Sequence, residues 1–384
     1  MNSPGQPTIA LVAGEASGDQ LGAALIDRLR NRFPDARFAG IGGSNMQAAG
    51  MDTWWDAQEL AVFGLFEVLS HFPRLLRLRR ELFRRLLALS PDVFIGIDAP
   101  DFNLGLEKKL RRKAIQTVHY VSPTVWAWRE KRVRKIGKAA DLVLCLFPFE
   151  PDYYRDHGVR ATYVGHPMAD QIEADHDPVA ARIKLGLDPA PVTVALLPGS
   201  RESEIERLAA PMIEAARILA DQYPGIQFTA AMANDRVRAR FQQELDRLQF
   251  SDISLFERQP RTVIAAADAV ICASGTATLE TMLVNRPMVM TYKISPASYQ
   301  FAKHLKLIRL KRFSLPNILA GEDLVPELIQ QDATGVNLAS ATAKWLNDRE
   351  SCHRLQQRFA SLHEQLRCDA SERAAEAVSG LLKT

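Results

Sequence analysis

Residues 8–32 read TIALVAGEASGDQLGAALIDRLRNR, and the order of patterns within them decides the fold class. Thr8–Ala13 is a short, continuous apolar run. A strand covered on both faces of a parallel sheet has that character. Gly14-Glu15-Ala16-Ser17-Gly18-Asp19 follows as a turn of small residues. From Gly18 to Arg32, Leu21, Leu25 and Leu29 recur four apart, which predicts an amphipathic helix. Strand, turn and helix in that order make one βα unit.

Working outward, the same alternation predicts strands at Arg37–Ile41, Asp92–Ile97, Ile115–Tyr120, Leu142–Leu146 and Thr162–Val164. A polar, acidic stretch around Asp170–Pro178 interrupts the series. It restarts with Val192–Leu197, Ile226–Ala231, Ile253–Phe256, Ala269–Cys272 and Met288–Thr291. Beyond that only helices are expected, at Ala339–Asn347, Ser351–Arg367 and Ser371–Leu382. The expected fold is therefore α/β, with two doubly wound Rossmann-like domains at 1–170 and 171–340 and C-terminal helices at 341–384.

Composition narrows the function classes. The 384 residues are 47% hydrophobic and 24% charged, the balance of a globular chain. Lys and Arg outnumber Asp and Glu by 48 to 45, and a net charge of +3 gives no reason to expect nucleic acid. Cys145, Cys272, Cys352 and Cys368 form no C-x-x-C pair, which favours reduced thiols in a cytoplasmic protein over disulfides or zinc. Met1–Pro7 is polar, so no signal peptide is expected, and no apolar stretch is long enough to span a bilayer.

Ligands of doubly wound sheets sit beyond the carboxyl ends of strands, so the loops there carry the candidates. Glu15 and Ser17 lie in the first such loop. It suits an anion at a helix N-terminus, or is an ordinary turn with Ser17 or Asp19 as N-cap. Asp98 directly follows the Asp92–Ile97 strand, where a general base belongs, although it could instead be a cap or a turn former. Asp101 reads as the cap of a helix starting at Phe102 or Asn103. In Pro198-Gly199-Ser200-Arg201 a Gly-Ser turn, an arginine and a helix start together suit a phosphate, whereas a capping box accounts for Ser200 and Ser203 only. Ser274, Gly275 and Thr276 open another helix after a buried strand, and Glu280 follows where a carboxylate can accept from two vicinal ribose hydroxyls. His119 and His166 read as structural histidines, and Asp175-His176-Asp177 as a solvated linker; no metal is assigned.

Two stretches mix grease with positive charge. Val62–Leu89 carries Phe66, Val68, Leu69, Leu75 and Leu76 among six arginines from Arg74 to Arg85, and Phe301–Phe313 repeats the theme. Either these lie on an anionic membrane surface or they are amphipathic helices with their arginines in water; part of Leu82–Leu89 suits the second.

Taken in order, GEASGD (14–19), IGG (41–43), DAPDFN (98–103), YVSPTVWAW (120–128), FPFE (147–150), VGHP (164–167), LLPGSRESEI (196–205), SGTATLE (274–280), LPNILAG (315–321) and VPELIQ (325–330) resemble the lipid-A-disaccharide synthases from end to end. These are GT-B-fold glycosyltransferases of lipopolysaccharide biosynthesis. The resemblance implies an inverting transfer from UDP-2,3-diacylglucosamine to the 6-hydroxyl of 2,3-diacylglucosamine 1-phosphate, giving the β-1,6-linked disaccharide 1-phosphate and UDP, with no cofactor. It implies two domains facing a cleft, Asp98 as base, and Glu15, Ser17 and Asp101 in the substrate cleft. It assigns UDP contacts to Arg201, Ser274, Gly275, Thr276, Glu280 and Asn317. It further implies work at the inner face of the inner membrane, and a homodimer whose C-terminal helices cross back or are swapped. After IGG this chain has Ser44-Asn45-Met46 where the family pattern has a Pro-Arg pair before Met, so no substrate contact is carried over to that loop. A UDP-N-acetylglucosamine 2-epimerase, a lipid-II-type transferase and a non-catalytic nucleotide-sugar binder are the competing readings. The greasy Phe63–Leu76 stretch disfavours the epimerase, and Asp98 has no task in the binder.

Overall fold

Thr8–Ala13 is buried at all six positions, so the strand has no solvent face and its sheet must be covered on both sides. The computed structural model describes residues 6–60, 65–123, 132–295 and 311–382, with the backbone alone for 65–72. Seven parallel strands, β1 (Thr8–Ala13), β2 (Arg37–Gly42), β3 (Asp52–Asp56), β4 (Val93–Ile97), β5 (Gln116–Tyr120), β6 (Leu142–Cys145) and β7 (Ala161–Tyr163), form a sheet in the order β3-β2-β1-β4-β5-β6-β7. Six more, β8 (Thr193–Leu197), β9 (Gln227–Met232), β10 (Ile253–Glu257), β11 (Ala269–Ala273), β12 (Met288–Tyr292) and β13 (Glu327–Ile329), form a second sheet in the order β10-β9-β8-β11-β12-β13. The two doubly wound sheets expected from the alternation are present. The sequence reading missed β3 and β13. Asp-Thr-Trp-Trp-Asp is a half-buried edge strand without an apolar run, and β13 is three residues long.

The two sheets repeat one device. At the start of β1 and β4 the Thr8 N–H donates to Asp92 Oδ2 at 2.7 Å, while the Asp92 N–H donates to the Thr8 carbonyl. Thr193 and Asp268 do the same at the start of β8 and β11, and Thr117 and Asp141 beside β5 and β6. Each aspartate extends the ladder by one bond at the N-terminal edge. The opposite, carboxyl edge is left for chemistry. There the strand order reverses between β1 and β4 and between β8 and β11, the switch points at which doubly wound sheets take their ligands.

The chain divides into two compact units, Met1–Asp170 with Leu366–Thr384, and Gln171–Gln365. Helices Gly335–Asn347 and Arg349–Leu366 run through the end of the second unit, and the last helix, Ala370–Leu382, belongs to the first. Its Ala374, Ala375, Val378 and Leu381 share a core with Leu25, Ile26 and Leu29 of the helix Ala16–Arg32. Burying each of those leucines contributes about 1.5–3 kcal/mol. The Asp170 carboxylate accepts the N–H groups of Cys368, Asp369 and Ala370 at 3.0, 2.9 and 2.7 Å, tying the departing chain to the returning one. Gly165 makes room for this return: a Cβ there would lie 2.6 Å from Cys368 Cβ, and its φ of 95° disfavours any other residue.

The helix Leu65–Leu89 covers the first sheet through Leu78, Leu82 and Leu86, four apart and buried. Its Arg77, Arg80 and Arg84 are exposed, and Leu75 and Leu76 are half-buried. The side chains of Phe66, Val68 and Leu69 lie outside the described residues, as do residues 124–128 of the YVSPTVWAW motif and the basic stretch from Phe301 through residue 310. The stretch read as a solvated linker is exposed at Asp175 and Asp177, but its backbone is pinned. Arg286 donates to the His176 carbonyl at 2.8 Å, and Asp177 caps the helix Pro178–Lys184.

Candidate active site

The second unit assembles a pocket of about 300 Å³ at its switch point, lined by loops from β8 and β11. After β8 the chain turns through Gly199, whose φ is 117°. A side chain there would collide with Glu204, which folds back over the turn to accept the N–H groups of Ser200 at 2.9 Å and Arg201 at 3.3 Å. That is the Glu half of a capping box at the start of the helix Glu202–Gln222. Ser200 and Ser203, for which a capping box was the competing reading, do not supply it; the N-cap position belongs to Arg201, whose cationic side chain cannot accept a bond. The Arg201 guanidinium is 78% exposed, with one nitrogen 3.7 Å from Glu204, so it is available to an incoming anion.

After β11, Ser274 is held by its N–H to the Thr291 carbonyl and by its hydroxyl to the Phe313 carbonyl. Gly275 is the N-cap of the helix Thr276–Leu283 at φ 121°, and a Cβ there would meet open space. Backbone conformation, not crowding, is what demands this glycine. Glu280 lies on that helix with its side chain 15% exposed, and Oε1 accepts from Arg261 Nε at 3.0 Å. Arg201, Ser274, Gly275, Thr276 and Glu280 thus line one pocket. Asn317 does not join them. It is buried, with Nδ2 donating to the Val325 carbonyl and Glu327 Oε1 and Oδ1 accepting from the Val325 N–H. The residue belongs to the lining of a separate groove of about 1100 Å³ beside β13.

Arg261 and Glu204 were missed in the sequence. Pro260 opens the helix after β10, so Arg261 sits where a doubly wound sheet places ligand residues; what the sequence lacked was its partner.

The first unit places Glu15 and Ser17, both exposed, in the loop after β1, and Asp98 in the loop after β4. These loops touch, since a Cβ on Gly14 would lie 2.9 Å from Ala99 Cβ. Neither Ser17 nor Asp19 caps the first helix, because Glu15 holds the N-cap position. Asp19, 3% exposed, points the other way and accepts from Gly43 N, Asn45 N, Asn45 Nδ2 and Met46 N at 2.6–3.1 Å. It caps the short helix Ser44–Ala48 across space, and Asn45 of the divergent Ser-Asn pair takes part in that clamp. Asp101 is not the cap expected of it either. The helix Pro100–Arg111 begins ahead of the expected Phe102 or Asn103, so Asp101 falls inside its first turn, 90% exposed and 3.5 Å from Arg132.

Asp98 has φ 50° and the next residue, Ala99, has φ 42°, two consecutive left-handed residues that are not glycine. Such a backbone costs about 1–3 kcal/mol per residue and clusters at functional sites.

Residues 9–378 match the family model for the lipid-A-disaccharide synthetases. The chain belongs to that family. It is an enzyme of glycosyl transfer with the family's role in making the lipid A disaccharide. The lipid-A-disaccharide synthase of Xanthomonas campestris pv. campestris (strain 8004) is 55% identical, across 98% of this chain and 86% of its own. That of Xylella fastidiosa (strain M12) is 52% identical across 98% of both chains. Among solved structures, the UDP-GlcNAc 2-epimerase from Neisseria meningitidis bound to UDP-GlcNAc superposes with a TM-score of 0.66 at 12% identity, covering 99% of this chain and 100% of that one. The glycotransferase of kitacinnamycin gives 0.62 at 14% identity, over 99% and 100%. At such identities the likeness concerns the fold, the two-domain GT-B arrangement of parallel sheets.

Proposed function

We propose that this synthase transfers the diacylglucosamine unit of UDP-2,3-diacylglucosamine to the 6-hydroxyl of 2,3-diacylglucosamine 1-phosphate, with UDP held in the second unit and the base supplied by the first. The observation that carries the reading is the convergence of Arg201, the Ser274–Thr276 turn and Glu280 on one pocket, although they come from different strands. The start of the helix Thr276–Leu283 offers amide N–H groups and the positive end of its dipole to a diphosphate. Arg201 adds a guanidinium fork, and Glu280 keeps Oε2 for the ribose diol while Oε1 is engaged with Arg261.

Attack forms the bond from the 6-oxygen to the anomeric carbon as the bond to the UDP oxygen breaks on the opposite face, inverting the centre. Asp98 takes the hydroxyl proton. UDP leaves with the bonding electrons, and its new charge is met by Arg201 and the helix N-terminus. Glu15, Ser17 and Asp101 share the carboxyl edge of the first sheet with Asp98 and are the candidates for holding the acceptor.

Both substrates carry acyl chains, and the helix Leu65–Leu89 is where the enzyme meets them. Phe66, Val68, Leu69, Leu75 and Leu76 face the bilayer, the neighbouring arginines its anionic headgroups, and the protein works peripherally at the inner face of the inner membrane as a homodimer. Among the described residues no helix is long and apolar enough to cross a membrane. Incubating the protein with both substrates should yield UDP and the disaccharide 1-phosphate. Release of an epimerised sugar with no disaccharide would replace the reading by an epimerase.

A further inference from the structure

We propose that Asn103 is a positioning residue for Asp98: it holds the left-handed Asp98–Ala99 backbone, with the buried Glu107–His119 pair as its foothold. The inference rests on the reading of Asp98 as the base.

The Asp98 peptide is fixed from both sides. Its N–H donates to the Tyr120 carbonyl on β5 at 2.8 Å, and its carbonyl accepts from Asn103 Nδ2 at 2.9 Å. The same Nδ2 lies 3.4 Å from the carbonyls of Val12 and Ile97, so three acceptors face it and the amide can point only one way. Ala99 is committed too, since its carbonyl accepts from Phe102 N and Asn103 N as the first turn of the helix. A non-glycine pair in the left-handed region persists only where its surroundings over-determine it, and here they do.

One turn along the same helix, Glu107 lies over β4 and its Oε1 is 2.7 Å from His119 Nδ1 on β5; both side chains are fully buried. Gly96 on β4 is the residue between them, and a Cβ there would collide with Glu107 Oε1 and lie 2.9 Å from Asn103 Cβ. The pair anchors the helix across β4 to the strand that also holds the Asp98 N–H.

Stability alone does not account for these side chains. Asn103 Oδ1, Glu107 Oε2 and His119 Nε2 are all buried without a partner among the described residues. A core selected for packing would place apolar groups there, because a polar atom left unpaired inside is destabilising. Unfavourable polar burial gathered under one strained loop is the mark of a site where function outweighs packing.

The test is a double-mutant cycle on the full-length protein, with UDP-2,3-diacylglucosamine and 2,3-diacylglucosamine 1-phosphate as substrates. Asn103→Ala should lower kcat roughly 10- to 100-fold and leave the Kd for UDP unchanged. Adding Ala99→Gly makes the left-handed backbone inexpensive and should restore roughly tenfold of the loss. Packing loss alone would not be rescued in this way. If Asn103→Ala does not fold, Asn103→Leu, of similar shape but with no donor, takes its place. Wild-type kcat in the Asn103 variant, or no rescue by Ala99→Gly, overturns the positioning role while Asp98→Asn stays inactive. Wild-type turnover in Asp98→Asn overturns the base reading and the positioning role with it.

Discussion

Arg261 Nε donates to Glu280 Oε1 at 3.0 Å, so this carboxylate, which lines the pocket between the β8 and β11 loops, already has one cationic partner. The bond leaves Oε2 without a protein partner among the described residues and fixes the direction in which it points. Glu280→Ala should weaken UDP binding by about 1–3 kcal/mol through lost charge-assisted hydrogen bonds. Its effect on 2′- and 3′-deoxy-UDP should be much smaller. Arg261 is 44% exposed, so Arg261→Ala acts only through orientation and should cost about 1 kcal/mol or less. Titration calorimetry reads both, and equal losses for UDP and the deoxy analogues would move Glu280 out of the ribose site.

Asp98 and Asp101 stand three residues apart in very different settings. Asp98→Asn keeps the shape and removes the basicity, so turnover should fall by about 10²–10⁴ with UDP binding intact. Asp101 is 90% exposed and, among the described residues, pairs with Arg132 alone, so Asp101→Asn should change stability by about 1 kcal/mol or less. The reverse pattern in steady-state kinetics would make Asp101 the base.

The helix Leu65–Leu89 should separate into two halves by mutation. Replacing Phe66, Val68, Leu69 and Leu75 with serine should leave the far-UV spectrum and melting temperature near wild type and release the protein from anionic vesicles in sedimentation. Salt should release the wild type as well, at about 1 kcal/mol per engaged arginine. Leu82→Ala, on the same helix but fully buried, should instead cost about 2–5 kcal/mol of stability and leave vesicle binding unchanged. Unfolding of the serine variant would assign its side chains to the core.

Gly165→Ala tests the return of the last helix. The new methyl would lie 2.6 Å from Cys368 Cβ at a φ that alanine disfavours, next to the three N–H groups gathered by Asp170. We expect a loss of about 2 kcal/mol or more in urea unfolding. Faster proteolysis after Leu366 should accompany it, as Ala370–Leu382 detaches from the helix Ala16–Arg32. A melting curve like the wild type's would show that the return does not depend on the close approach at Gly165.

Strand and helix periodicities are local, and the sequence by itself determined what depends on them: two βα series, their restart near Val192, and the carboxyl-edge loops that hold Asp98, Arg201 and Ser274–Thr276. Glycine at 199 and 275 was legible as a turn signal for the same reason. Destinations were not legible. The resemblance left crossing back and swapping open for the C-terminal helices as a group; the folded chain places Ala370–Leu382 on the first unit while the helix before it stays with the second. Asp19 looked like a cap for its own helix and caps another 24 residues away. Glu280 was read as a ribose ligand and also takes Arg261; Asn317, a UDP contact by resemblance, has its amide engaged with Val325 and Glu327. In each case a polar side chain had several partners available, and which one it takes depends on distances between segments far apart in the chain. Those distances are set by the packing of the two sheets' helices, and no local pattern records them.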